Sequence, residues 1–140
     1  MSWFKKWEPK IEKAVTSADL LLKLHKLSGG AKVHFMDRDY FIPADPADVM
    51  YRSPAKKYKY IPQSRDCDDS NRIFRGWLSQ KGFGNLLAMD CIIDYFSKSK
   101  QKTVRHACIA FLHNDEIIFG EPQNGKMVTY DRVKIIRLIV

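Results

Sequence analysis

The sequence predicts an α+β domain in which N-terminal helices, one of them opening on a cysteine, pack on a C-terminal antiparallel sheet. Three observations carry this expectation. Helix-start signals stand at Pro9, at Asp45-Pro46 and at Asp66. After Gly84 the chain breaks into apolar runs of strand length. Two of those runs flank His113-Asn114-Asp115, and Asn124-Gly125 marks a further turn.

Taken in order, Pro9 suits the first turn of a helix reaching Lys26 or Leu27. Ile11, Val15, Ala18 and Leu22, with Leu21 beside them, give it an apolar face, and Gly29-Gly30 ends it. His25, near its carboxyl end, reads as structural. Val33-His34-Phe35 and Tyr40-Phe41-Ile42 are short β-like runs around the polar turn Asp37-Arg38-Asp39. Asp45 caps one or two helical turns that begin at Pro46, and Arg52 to Lys59 is a basic loop. A helix capped by Asp66 then runs from near Asp68 to Lys81-Gly82. Strands follow at Leu86 to Tyr95, Thr103 to Leu112, Glu116 to Gly120 and Lys134 to Val140. Residues 1–30 read as a helical segment packed on a unit formed by residues 31–140, in one compact domain overall.

A chain of 140 residues that is 45% hydrophobic and 12% aromatic can bury a real core. Its formal net charge of +8 suits an acidic protein, a nucleic acid or an anionic surface as partner. The basic residues are spread out, with concentrations only at Lys56-Lys57-Tyr58-Lys59 and from Lys98 to Arg105, so a solvated basic surface is the plainer reading. Cys67, Cys91 and Cys108 are odd in number and lack metal-type spacing, which points to a reducing, cytoplasmic setting. No secretory signal or run of membrane-span length is visible. Trp3, Phe4 and Trp7 lie between lysines and are expected to pack onto the domain. No zinc spacing, phosphate-binding glycine loop or dinucleotide fingerprint occurs.

The chemistry gathers at Asp66-Cys67-Asp68-Asp69. Acids in a first helical turn suit the helix dipole, and a cysteine there lies in one of the few environments that favour a thiolate. A buried cysteine beside a well-capped helix is the alternative. His106 opens one predicted strand and Glu121 closes the next. A hairpin between those strands brings them to one sheet edge, where a helix N-terminus can deliver Cys67. A thiol, a base and a group that orients the base make a nucleophilic triad.

Asp66-Cys67-Asp68-Asp69, the His106-Ala107 strand and Glu121-Pro122-Gln123 together resemble papain-like cysteine peptidases. The similarity is to the peptidase-like domain that follows the β-trefoil in mushroom agglutinins, and to related bacterial and phage proteins. More distantly, it is to bacterial transglutaminase-like cysteine peptidases. It covers roughly residues 33–125. The resemblance implies a papain-like fold with Cys67 as nucleophile, His106 as base and acid, and Glu121 as the group that orients the imidazole. The backbone N–H of Cys67 would then be one oxyanion donor. Gln63 is a second candidate by position, and a plain loop glutamine is the alternative. The mushroom domains further imply calcium, for which Asp68 and Asp69 offer hard oxygen ligands and Asp66 a third. Helix capping explains the same acids without a metal. Ser70-Asn71 departs from the family's Phe-Ala and puts polar groups where its helix packs.

The expected function is therefore a thiol hydrolase or acyl transferase of peptidase or amidase type, working on a peptide or amide through a thioester. No cofactor is required for that chemistry. The alternative is an inactive module of the same fold whose basic surface binds an acidic protein or nucleic acid.

Overall fold

The computed structural model describes residues 6–35, 37–58 and 67–140. The expectations placed on Trp3, Phe4, Lys59, Gln63 and Asp66 lie outside the described residues. The first elements are strand β1 (Ile11–Thr16), helix α1 (Ser17–Leu27), strand β2 (Lys32–His34) and strand β3 (Asp39–Pro43). The single helix expected from Pro9 to Leu27 is thus corrected, because its first turns are a strand. β1 pairs antiparallel with β3 from Ile11↔Pro43 to Thr16↔Asp39, and α1 starts only where the Thr16 side chain accepts from the Asp19 N–H at 3.2 Å. The apolar spacing that suggested one long helix had chosen the wrong face. Leu22 is 79% exposed, whereas Leu20 and Leu24, one turn apart, are buried. Gly30 ends the helix as expected, at φ +92° with its N–H on the His25 carbonyl.

Helix α2 (Pro46–Arg52) has the cap that the sequence signalled, the Asp48 N–H donating to the Asp45 side chain at 3.2 Å. A 3₁₀ turn spans Pro54–Lys57. Helix α3 (Cys67–Gln80) ends at Gly82, whose φ is +86°. It buries Ser70, Asn71, Phe74 and Leu78, so its inner face is polar at the first turn and apolar beyond it.

Five strands complete the chain: β4 (Met89–Ser97), β5 (Lys102–His113), β6 (Glu116–Glu121), β7 (Lys126–Val128) and β8 (Lys134–Ile139). With β2 they make one six-stranded sheet in the order β2-β8-β4-β5-β6-β7. The pleat of β5 divides the core between two faces. Cys108, Ala110 and Leu112 face a cluster with Leu20, Leu24, Tyr40, Cys91 and Ile93. Ile109 and Phe111 face Met50, Phe74 and Leu78 from α2 and α3. Fully burying side chains of this size contributes about 1.5–3 kcal/mol each, so α2 and α3 are held to the sheet mainly by this apolar contact.

The expected layout of N-terminal helices on a C-terminal antiparallel sheet is corrected. Strands hold more of the described residues than helices do, β1 and β3 form a second sheet in the N-terminal part, and β2 joins β8 in parallel. Helical periodicity over-represented the helices at Ile11–Thr16, which β3 holds as a strand, and β7 has too few residues to show alternation.

Candidate functional site

Four elements meet at the site. Strand β5 carries His106, one pleat repeat before the buried Cys108. The β5–β6 hairpin turns at Asn114 and Asp115, with φ of 50° and 59°, and its register runs from His113↔Glu116 to Ile109↔Gly120. Glu121 therefore follows the last β6 residue paired with β5, and its side chain reaches back past the ladder to the ring. His106 Nε2 lies 2.5 Å from Glu121 Oε2. Tyr130 donates its hydroxyl to the same carboxylate oxygen at 3.2 Å, and the Gln123 N–H donates to the other at 3.2 Å. This gives Glu121-Pro122-Gln123 its local role: the turn folds a backbone donor over the acid that begins it. Gly125, at φ +70°, completes the turn with its N–H on the Glu121 carbonyl at 2.8 Å.

Cys67 is the first residue of α3, half-buried, and lies beside the His106 imidazole. Asn71, one turn further along α3, fixes that end of the helix on the sheet. Its amide donates to Asp90 Oδ1 at 2.6 Å and to the Cys108 carbonyl at 2.9 Å. Ser70-Asn71 is thus explained: the polar pair is buried, and Asn71 replaces apolar packing with two directed bonds. Aromatic rings wall the imidazole, Tyr95 at 6.1 Å and Tyr130 at 5.8 Å between centroids.

Burial alone would lower the His106 pKa. Hydrogen bonds to Cys67 and Glu121, with the charges they carry, outweigh it and raise the value from 6.5 to about 9. The imidazole is therefore protonated at neutral pH, clamped between a sulfur and a carboxylate. Burial, then the neighbouring Cys108 and Glu121, push the Tyr130 phenol up, so it stays a neutral donor. Cys91 and Cys108 face each other across β4 and β5, both fully buried. A hydrogen bond from Cys91, then burial, pushes the Cys108 thiol up.

The structure thus brings Cys67, His106 and Glu121 together, in keeping with their order along the chain. Asp68 is exposed, and Asp69 lies 3.4 Å from Arg72 on the same helix. Among the described residues no group of three His, Cys, Asp or Glu side chains is placed to hold a metal ion, so Asp68 and Asp69 do not by themselves fit a calcium site. Trp7 packs onto the domain as expected, stacked on Trp77 at 5.3 Å with its indole N–H on Asp48. Sequence reasoning missed Tyr95 and Tyr130, which carry no local signal. It noticed Asn71 only as an anomaly, although a polar residue on a helix's packing face must find partners.

No protein-family model matches the chain, and no curated protein matches it by sequence. Solved structures do match its fold. PSL1a in its E64 complex is 24% identical, with a TM-score of 0.65 over 91% of this chain and 50% of that one. The Polyporus squamosus lectin, bound to the human-type influenza-binding epitope Neu5Acα2-6Galβ1-4GlcNAc, is 21% identical, with a TM-score of 0.67 over 91% and 49%. The chain spans about half the length of these neighbours. At this identity the likeness establishes the fold.

This finding corrects the family expectation. The fold is shared with a protein named as a lectin, so membership among papain-like or transglutaminase-like cysteine peptidases gives way, and the bacterial or phage attribution goes with it. The expected Cys67-dependent hydrolase or acyl transferase loses its support together with that family. The three short motifs were weak guides for a physical reason. Acids opening a helix, a histidine opening a strand and a Glu-Pro-Gln turn each serve the fold as well as a reaction. Among the described residues, no helix is long and apolar enough to cross a membrane.

Proposed function

We propose that the chain is a binding module for a polar ligand, with Cys67, His106 and Glu121 as its binding centre. Residues 31–140 carry that centre, and the described residues 6–30 pack on them. The observation that supports this reading best is His106. Beside Cys67 and hydrogen-bonded to Glu121, it keeps its proton up to about pH 9, so an imidazolium–carboxylate pair stands at the centre at neutral pH, able to exchange hydrogen bonds with a polar ligand. Cys67, half-buried at the start of α3, is proposed as the side chain that meets the ligand. Gln63 is proposed as a further donor to the ligand. The net charge of +8 draws acidic partners over longer range, acidic proteins and nucleic acids among them. Three free cysteines fit a reducing compartment, and the cytoplasm is the proposed location.

The two fold neighbours supply the probes. E64 carries an epoxide that a thiolate opens, and Neu5Acα2-6Galβ1-4GlcNAc carries a carboxylate. Wild-type protein, Cys67→Ser and His106→Ala are each incubated with E64 and weighed intact by mass spectrometry, then titrated with the trisaccharide by calorimetry. The reading expects E64 to add to Cys67 alone and more slowly in His106→Ala, or the trisaccharide to bind and to weaken in His106→Ala. It is overturned if neither probe binds, or if both bind all three folded proteins equally.

A further inference from the structure

One segment outside the Cys67 centre combines exposed aromatic rings with surplus positive charge. Tyr51, on the last turn of α2, is 66% exposed, and Tyr58, just beyond the 3₁₀ turn, is also exposed. Between them lie Arg52, Lys56 and Lys57. The Arg52 guanidinium is partly offset by Asp48, 3.4 Å away. Lys56 is arranged against Tyr51 itself: its ammonium donates to the Tyr51 carbonyl and sits 4.3 Å from the ring centroid. Lys57 is exposed. The β6–β7 turn extends the positive surface, since a Cβ built on Gly125 would lie 2.8 Å from Lys56 Cδ and the next residue, Lys126, is exposed.

We infer that this surface binds single-stranded nucleic acid, with a base stacked on Tyr51 and phosphates held by Lys56 and Lys57. The lysine run is legible in the sequence, and the end of α2 adds an exposed ring beside it. The chemistry favours this partner over two others. An acidic peptide uses the lysines but has no need of an exposed ring with a cation already docked on it. A neutral sugar uses the ring, but calls for amide and carboxylate partners to its hydroxyls where this surface offers ammonium groups. A flexible single strand offers a π-face and a phosphate at every step, matching ring and cation together. The inference deepens the basic-surface part of the proposed function and does not depend on the Cys67 centre.

Fluorescence anisotropy of a labelled oligothymidylate of about twelve nucleotides tests it. Wild-type protein should bind the single strand more tightly than the matching duplex or an oligoglutamate. Tyr51→Ala should weaken binding about tenfold, and Tyr51→Phe should restore it, because stacking needs the ring and not the hydroxyl. Lys56→Gln with Lys57→Gln should flatten the slope of log affinity against log salt by about 1.4, at about 0.7 for each single-strand phosphate that is no longer neutralised. Tyr51→Ala should leave the E64 and trisaccharide results at the Cys67 centre as in wild type, so failure of that centre and failure of this surface are read separately. Absence of binding, equal binding of duplex or oligoglutamate, or indifference to Tyr51→Ala in a protein whose circular dichroism is unchanged overturns the proposal.

Discussion

Replacing Glu121 by glutamine removes one negative charge while keeping the side-chain shape, and His106 reports the loss. In the folded protein the His106 pKa is raised from 6.5 to about 9, a gap of about 2.5. At 1.36 kcal/mol per pH unit, the gap corresponds to roughly 3 kcal/mol of preferential stabilisation of the imidazolium. The two side chains are only 18% and 11% exposed, so solvent screening takes little from that figure. Because the folded pKa lies above the unfolded one, the stabilisation is present in full below about pH 6.5 and is lost as pH rises through about 9. Cys67 and Glu121 share it, and Glu121→Gln leaves the Cys67 part and the opposing burial. His106 should then titrate about one to three pH units lower. The fall in unfolding free energy between about pH 6 and pH 10 should shrink by about 2 kcal/mol. Proton NMR titration of the histidine rings gives the first quantity, and urea denaturation at the two pH values gives the second. Superimposable His106 titrations in folded wild-type and mutant proteins would refute the argument, since they would mean that the carboxylate 2.5 Å away does not act on the ring.

Asn71→Ala should cost about 2 kcal/mol in urea denaturation, because the Asp90 carboxylate and the Cys108 carbonyl both lose a donor. A loss below about 0.5 kcal/mol would make those bonds incidental. Gly125→Ala should cost about 1–2 kcal/mol, since its φ is +70° and the new Cβ would lie 3.3 Å from the Met50 carbonyl; an unchanged melting temperature would count against a strained turn. Millimolar calcium should leave the melting temperature of the wild type unchanged, Asp68 and Asp69 acting as first-turn acids of α3. A rise that disappears in Asp68→Asn would instead reveal a bound ion.

The features legible in the sequence are local ones. Asp45 capping Pro46, Gly30 and Gly82 ending helices, and the β5–β6 turn at Asn114-Asp115 all depend on the conformations of a few consecutive residues, and these stand in the structure. The meeting of His106 and Glu121 was also legible, since a hairpin brings the start of one strand beside the end of the next whatever surrounds it. Whatever depends on a distant partner emerges only when the chain is folded. Ile11–Thr16 is a strand because β3 lies beside it, although its own spacing reads as helix. β2 finds β8 across about a hundred residues, a parallel pairing that no local pattern announces. Tyr130 joins the site only because the chain returns past β7 to set its hydroxyl on Glu121. Asn71 looked like a defect in a packing face until the sheet supplied Asp90 and the Cys108 carbonyl. The family resemblance failed at the same boundary. Its motifs were short enough to be met by capping and turn chemistry, while the strand-dominated fold is set by pairings between residues far apart in the chain.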